Sequence, residues 1–149
     1  MQKGHEIGMD YLISGGLGHL VNNLRNVIFA TLERELAPLE LTSAQFIVVI
    51  AAMRQRAHTV NEFCAFAGIE AGPMSRLLDR LEAKDIVRRV RDCADGRQVH
   101  VELTEKGHQL SPKIMPVIAK VYRQFLDGFS ADDALLLQSL IQRLIANAN

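Results

Sequence analysis

The chain has 149 residues, 48% of them hydrophobic, with 17 basic and 17 acidic side chains and a formal net charge of zero. That length suits a single domain with an ample core, and the balanced charge argues against indiscriminate binding to polyanions. Two cysteines do not make a disulfide scaffold, and no apolar run is long enough to span a membrane. Met1 to Asp10 carries Lys3, His5, Glu6 and Asp10. No secretory leader is read there, and the expectation is a cytoplasmic protein with no membrane partner. No internal repeat, low-complexity tract or long linker is visible.

In chain order, the first pattern runs from Tyr11 to about Leu36. Leu17, Leu20, Val21, Leu24, Val27, Ile28, Thr31 and Leu32 recur at helical spacing, which predicts a long amphipathic helix weakened at its start by Gly15, Gly16 and Gly18. Thr42-Ser43-Ala44-Gln45 has capping-box spacing and opens a helix carrying Phe46, Ile47, Val49, Ile50 and Met53. Thr59-Val60-Asn61-Glu62 repeats the device for a short helix with Val60, Phe63, Cys64 and Ala67 on one side, ending near Gly68. Gly72-Pro73 is read as the opening of the next helix, with proline at its first position. Met74, Leu77, Leu78 and Leu81 form the core stripe of that helix; Gly72, Ser75, Arg76, Asp79 and Arg80 lie opposite.

A basic strand follows at Val87-Arg88-Arg89-Val90-Arg91, then the turn Asp95-Gly96-Arg97, then a strand in which Val99, Val101 and Leu103 alternate with His100 and Glu102. Two short helices around a Gly-containing turn, then a basic hairpin, is the order of a winged helix-turn-helix, whose second helix enters the DNA major groove. Between Gly72 and Val101 seven cations face five anions, a local excess of two. DNA binding requires folding to sort those signs onto different faces. Beyond the wing, Pro112 and Pro116 each remove a helical hydrogen bond, so a bend or a restart capped by Ser111 is expected, shaped by packing or by a cavity. Ser130-Ala131-Asp132-Asp133 caps a last helix with Leu135 to Leu137, Leu140, Ile141, Leu144 and Ile145. Apolar residues that spread around a helix predict cover on more than one side, from a partner chain or from a monomer core.

Leu41-Thr42-Ser43-Ala44-Gln45-Phe46, Arg76-Leu77-Leu78-Asp79-Arg80-Leu81-Glu82, and Asp95-Gly96-Arg97 followed by Val99-His100-Val101-Glu102-Leu103-Thr104-Glu105-Lys106-Gly107 resemble the MarR family of transcription regulators. The resemblance spans nearly the whole chain in the family's order and spacing. It implies a mainly α (α+β) fold: a winged helix-turn-helix lobe over about residues 40–104, with dimerisation helices over about 10–38 and 105–149. It further implies a triangular homodimer that grips a double-stranded, pseudo-palindromic operator. Most such proteins are repressors that release DNA when a phenol, an aromatic acid or an oxidant acts on them. Asp85 departs from the pattern, standing where the family usually has glycine. Aspartate enters the left-handed region with strain of order 1 kcal/mol, which bears on the helix end more than on function.

The DNA-binding set is then Gly72, Ser75, Arg76, Arg80, Arg91, Asp95 and Arg97. The resemblance assigns Arg97 to the minor groove, with Asp95 orienting the loop; the alternative is a solvated loop charge. Arg76 and Arg80 can contact DNA or pair with Asp79 and Glu82. His19, Asn23, Arg54 and His58 supply polar groups able to orient a small-molecule effector at the junction of the first two helices. Cys93, between Arg91 and Arg97, is the redox candidate. The family's redox sensors usually carry their reactive cysteine in the first helix, which has none here. No enzyme motif, cofactor fingerprint or helical metal pair of histidines is present, so no cofactor is expected. Two alternatives stay open: a redox or metal sensor on the same fold, and a winged helix used only for docking proteins.

Overall fold

Side-chain oxygens that take orphan amides set most of the helix starts. The computed structural model describes residues 8–9, 16–91, 94, 96 and 98–148. Their order is α1 (Leu17–Leu36), a 3-10 turn (Ala37–Leu39), α2 (Ser43–Met53), α3 (Val60–Ala67), α4 (Ala71–Ala83), β1 (Val87–Arg91), β2 (Val99–Leu103), α5 (Glu105–Phe125) and α6 (Ala131–Ala146). Reciprocal capping boxes open α2 with Thr42 and Gln45, α3 with Thr59 and Glu62, and α6 with Ser130 and Asp133, as their spacing predicts. Gly68 ends α3 at φ 63°, and Asp85 adopts φ 56°, the left-handed geometry expected of it.

Two helix expectations change. Helix α4 begins two residues early, with Glu70 as its cap, so Pro73 is its third residue rather than its first. The third amide also lacks an intrahelical acceptor, so proline is tolerated there for the same reason. Helix α5 runs unbroken through Pro112 and Pro116, and its cap is Thr104, not Ser111. Both prolines lie on the exposed side, where water can satisfy the carbonyls of His108 and Pro112 that lose their amide donors. Neither a restart nor a fresh cap is needed.

The hairpin is antiparallel, with Val87 opposite Leu103, Arg88 opposite Glu102 and Arg89 opposite Val101. It is stitched to the start of α3 by the bridge between Thr59 and His100 and by the Val101 amide, which donates to the His58 carbonyl at 2.7 Å. The core gathers Val48 and Val49 of α2, Phe63 of α3, Met74, Leu78 and Leu81 of α4, Val87 and Val101 of the hairpin, and Ile114 and Val121 of α5, all buried. Helix α6 buries no residue against the rest of its own chain. It is therefore not the internal core helix of a monomer.

The junction between hairpin and α5 is tight. Thr104 Oγ1 accepts from the Gly107 amide at 3.0 Å and donates to the Asp85 carbonyl, while the Thr104 amide donates to the Ile86 carbonyl at 3.0 Å. A Cβ on Gly107 would stand 2.2 Å from that Ile86 carbonyl oxygen, which is backbone and cannot swing aside. Gly72, by contrast, has open space where its Cβ would be. We expect Gly107→Ala to lower stability by about 2 kcal/mol or more, while Gly72→Ala leaves it within about 0.5 kcal/mol of the parent or raises it. Urea unfolding of the two variants checks this, and equal midpoints would contradict the close approach.

Candidate nucleic-acid interface

Helices α3 and α4 flank the turn at Gly68, whose left-handed backbone lets the Ile69 amide donate back to the Cys64 carbonyl at 3.2 Å. The turn aims α4 so that Met74, Leu77, Leu78 and Leu81 are buried, leaving Gly72, Ser75, Arg76, Asp79 and Arg80 exposed along the outer side. The sequence-predicted positions on α4 thus share one accessible surface. Arg91 is exposed at the end of β1. Asp95, Arg97 and Cys93 lie outside the described residues.

The charges are sorted by β1. Arg89 Nη1 donates to Asp79 Oδ1 at 2.8 Å and to Glu82 Oε2, Arg89 Nη2 donates to the Ser75 carbonyl at 3.2 Å, and the Arg89 amide donates to Glu82 Oε1 at 3.0 Å. Partial burial works against the Arg89 guanidinium charge, but the hydrogen bonds and charges of Asp79 and Glu82 outweigh it and hold the pKa above the ordinary arginine value. The intrahelical pairs considered for Arg76 and Arg80 do not form. Among the described residues neither makes an ion pair, because the carboxylates they would use are taken from the next strand. Arg88 pairs with Glu102 across the hairpin at 3.1 Å, an exposed contact that contributes little.

Arg89 was not among the residues read from the sequence as functional, although a signal for it exists. Strand alternation puts it on the side of buried Val87, where an arginine requires carboxylates, and α4 offers Asp79 and Glu82 three residues apart. Lys84 was likewise missed. Its Nζ donates to the Glu40 carbonyl and to Gln45 Oε1 at 3.0 Å, tying the end of α4 to the link between α1 and α2.

His58 lines a cleft of about 280 Å³ with Gln55, Arg88, Glu102 and His108, and neither His19, Asn23 nor Arg54 belongs to it. All four side chains are exposed. Cys64 is half-buried on the apolar side of α3. Among the described residues no group of three or more His, Cys, Asp or Glu could hold a metal ion, and no single helix is long and apolar enough to cross a membrane.

A family model described as transcriptional regulator SarA/Rot matches residues 30–114, more than half of the chain. The multiple antibiotic resistance protein MarR of Escherichia coli is 27% identical over 132 residues, covering 88% of this chain and 90% of that protein. The chain belongs to the MarR family of transcriptional regulators. A solved relative, transcriptional regulator PA3341, is 32% identical with a TM-score of 0.80 and covers 88% of this chain and 96% of its own. An E. coli MarR cysteine-to-serine variant, solved in complex with operator DNA, has the same fold at 24% identity and a TM-score of 0.80, covering 93% of this chain and 99% of that one. Bordetella bronchiseptica BpsR, whose DNA binding is regulated by 6-hydroxynicotinic acid, matches at 24% identity and a TM-score of 0.77, over 85% of this chain and 96% of that one. The MarR-family winged helix therefore provides the frame on which the exposed Arg76 and Arg80 are held.

One support of this frame is sensitive to pH. Backbone amides of His58 and Thr59 donate to Glu62 Oε2 at 2.7 and 3.0 Å and hold its carboxyl below the ordinary glutamate range. A carboxylate with a lowered folded pKa contributes stability above its unfolded pKa, and that contribution is lost as pH falls through the lowered value. In Glu62→Gln the fall in stability over this acid range should be shallower than in the parent. Denaturant midpoints measured from neutral pH down into that range test it, and parallel curves would contradict it.

Proposed function

We propose that this MarR-family regulator is a homodimeric repressor that binds a pseudo-palindromic operator in the cytoplasm and releases it when a small aromatic or phenolic acid binds. The observation that carries the proposal is the outer side of α4, where Arg76 and Arg80 are exposed and, among the described residues, make no ion pair, while the neighbouring Asp79 and Glu82 are both engaged by Arg89 of β1. Phosphates attract such cations, and a recognition helix reads base edges from its N-terminal residues, here Gly72, Ser75 and Arg76. Arg91, with Asp95 and Arg97 beyond it, would bring the wing to the backbone and the minor groove.

The homodimer is supported by apolar surface that the described residues leave exposed. Leu17 of α1 joins Leu137, Leu140, Ile141 and Leu144 of α6 around an open groove of about 430 Å³. Leu20, Val21 and Leu24 of α1 and Leu135, Leu136 and Ile145 of α6 are also exposed. A second copy would cover these faces and set the two α4 helices about one DNA turn apart, matching a palindrome. On this view α1, α5 and α6 are the dimerisation arms and the segment from α2 to β2 is the DNA-reading lobe. The regulation of BpsR by an aromatic acid supports an effector of that class. His19, Asn23, Arg54 and His58 are the polar groups assigned to it, and the coupling should be about 1 to 3 kcal/mol.

Operator selection from a random duplex library, followed by competition with a panel of aromatic acids, tests the proposal. The expected result is an enriched palindrome whose binding one of the acids weakens; absence of enrichment at low salt would sink the repressor reading. On the selected operator, Arg76→Ala should cost about 1 to 3 kcal/mol, with the salt slope falling by about 1 if the contact is to phosphate. In sedimentation, Leu140→Glu should shift the protein from dimer to monomer. A parent that sediments as a monomer would remove the dimer.

A further inference from the structure

We propose that Arg89 is the positioning residue for DNA reading: it sets the rotation of α4 relative to the wing and masks the two carboxylates that would otherwise oppose Arg76 and Arg80. The inference rests on the operator reading above and deepens it. Its basis is where the partners lie. Arg89 engages the Ser75 carbonyl, Asp79 and Glu82, which follow one another at i, i+4 and i+7 and so form a single stripe along α4. Three points on one stripe restrain both turning of a helix about its axis and sliding along it. The Arg89 amide adds a fourth point through Glu82 Oε1 at 3.0 Å, so the backbone of β1 is itself bonded to the helix.

The guanidinium suits this task because its N–H donors sit in a fixed planar fork and serve several acceptors at once; a lysine ammonium is a point charge without that geometry. The electrostatic consequence is specific to α4. Asp79 lies three residues after Arg76 and next to Arg80, and its side chain is 62% exposed. Left alone, Asp79 and Glu82 would cancel the attraction of the two arginines for phosphate and repel the backbone themselves. Bound to Arg89, they leave the outer side of α4 with a cationic surplus. The same contacts tie the helix to the strand that leads into the wing, so helix and wing meet DNA as one body.

The test uses the full chain and the operator selected by the parent protein. Affinity is measured for that operator and for a scrambled duplex over a range of salt, with thermal melts as a check on folding. Arg89→Met should lose about tenfold or more in operator affinity and also weaken binding to the scrambled duplex, with a shallower slope against salt, because the unmasked carboxylates offset the attraction of Arg76 and Arg80 for phosphate. Adding Asp79→Asn and Glu82→Gln to Arg89→Met should restore binding to the scrambled duplex but not the preference for the operator, separating masking from aiming. Arg89→Lys should keep scrambled-duplex binding and lose at least about threefold of the preference; if Arg89→Met does not fold, this variant decides. If the triple variant binds the scrambled duplex no better than Arg89→Met does, Arg89 itself is a phosphate contact and the inference is overturned. An undiminished operator preference in Arg89→Lys would overturn it too, leaving the operator reading intact. Failure of the parent to bind any duplex would overturn both.

Discussion

The structure depends on the close approach of α5 to the corner between α4 and β1. Gly107 lies against the Ile86 carbonyl, and Thr104 bonds on one side to that corner and on the other to the first turn of α5. A side chain at 107 would push the long helix away from the lobe. Lys106 Nζ donates to the Lys84 carbonyl at 2.8 Å, and Lys84 in turn reaches the link between α1 and α2. One corner therefore connects α4, the hairpin and both long helices.

The chain's zero net charge would hide a nucleic-acid interface from any count over the whole sequence, and the fold explains how both can hold. Acids and bases lie almost side by side along α4. Tertiary structure brings Arg89 of the following strand onto the acids and leaves the bases outward. Specific DNA binding needs a local field rather than a global one, because screening confines exposed charges to about a Debye length, near 8 Å in physiological salt. A neutral protein with a sorted face avoids general attraction to polyanions and keeps a local cationic field on the outer side of α4.

Hydrophobic content is divided in a similar way. The lobe around α2 is closed and well buried, whereas α1 and α6 turn leucines and isoleucines to the outside. A chain that placed α6 in its own core would have no such surface. Its seven exposed large aliphatic side chains, from Leu135 to Ile145, make the last helix the element most in need of a partner. Glu35 and Lys120 connect α1 to α5, so the arms are joined within one chain even though α6 is not covered by it.

The sequence by itself determined whatever depends on a few consecutive residues. Capping boxes at Thr42, Thr59 and Ser130, the left-handed Gly68, the alternation of β2 and the amphipathic stripe of α4 were legible because their causes lie within one turn or one strand of the residue concerned. The motifs Arg76 to Glu82 and Val99 to Gly107 were legible for the same reason, and with them the family. Tertiary structure decided matters that require elements distant in sequence to meet. Whether Pro112 and Pro116 break α5 turned on which side of the helix faces water. Whether Asp79 and Glu82 pair with Arg76 and Arg80 or with Arg89 turned on the strand that packs beside them. Local propensity cannot resolve such choices, because the competing partners are equally available to the unfolded chain and only packing brings one of them within hydrogen-bond distance.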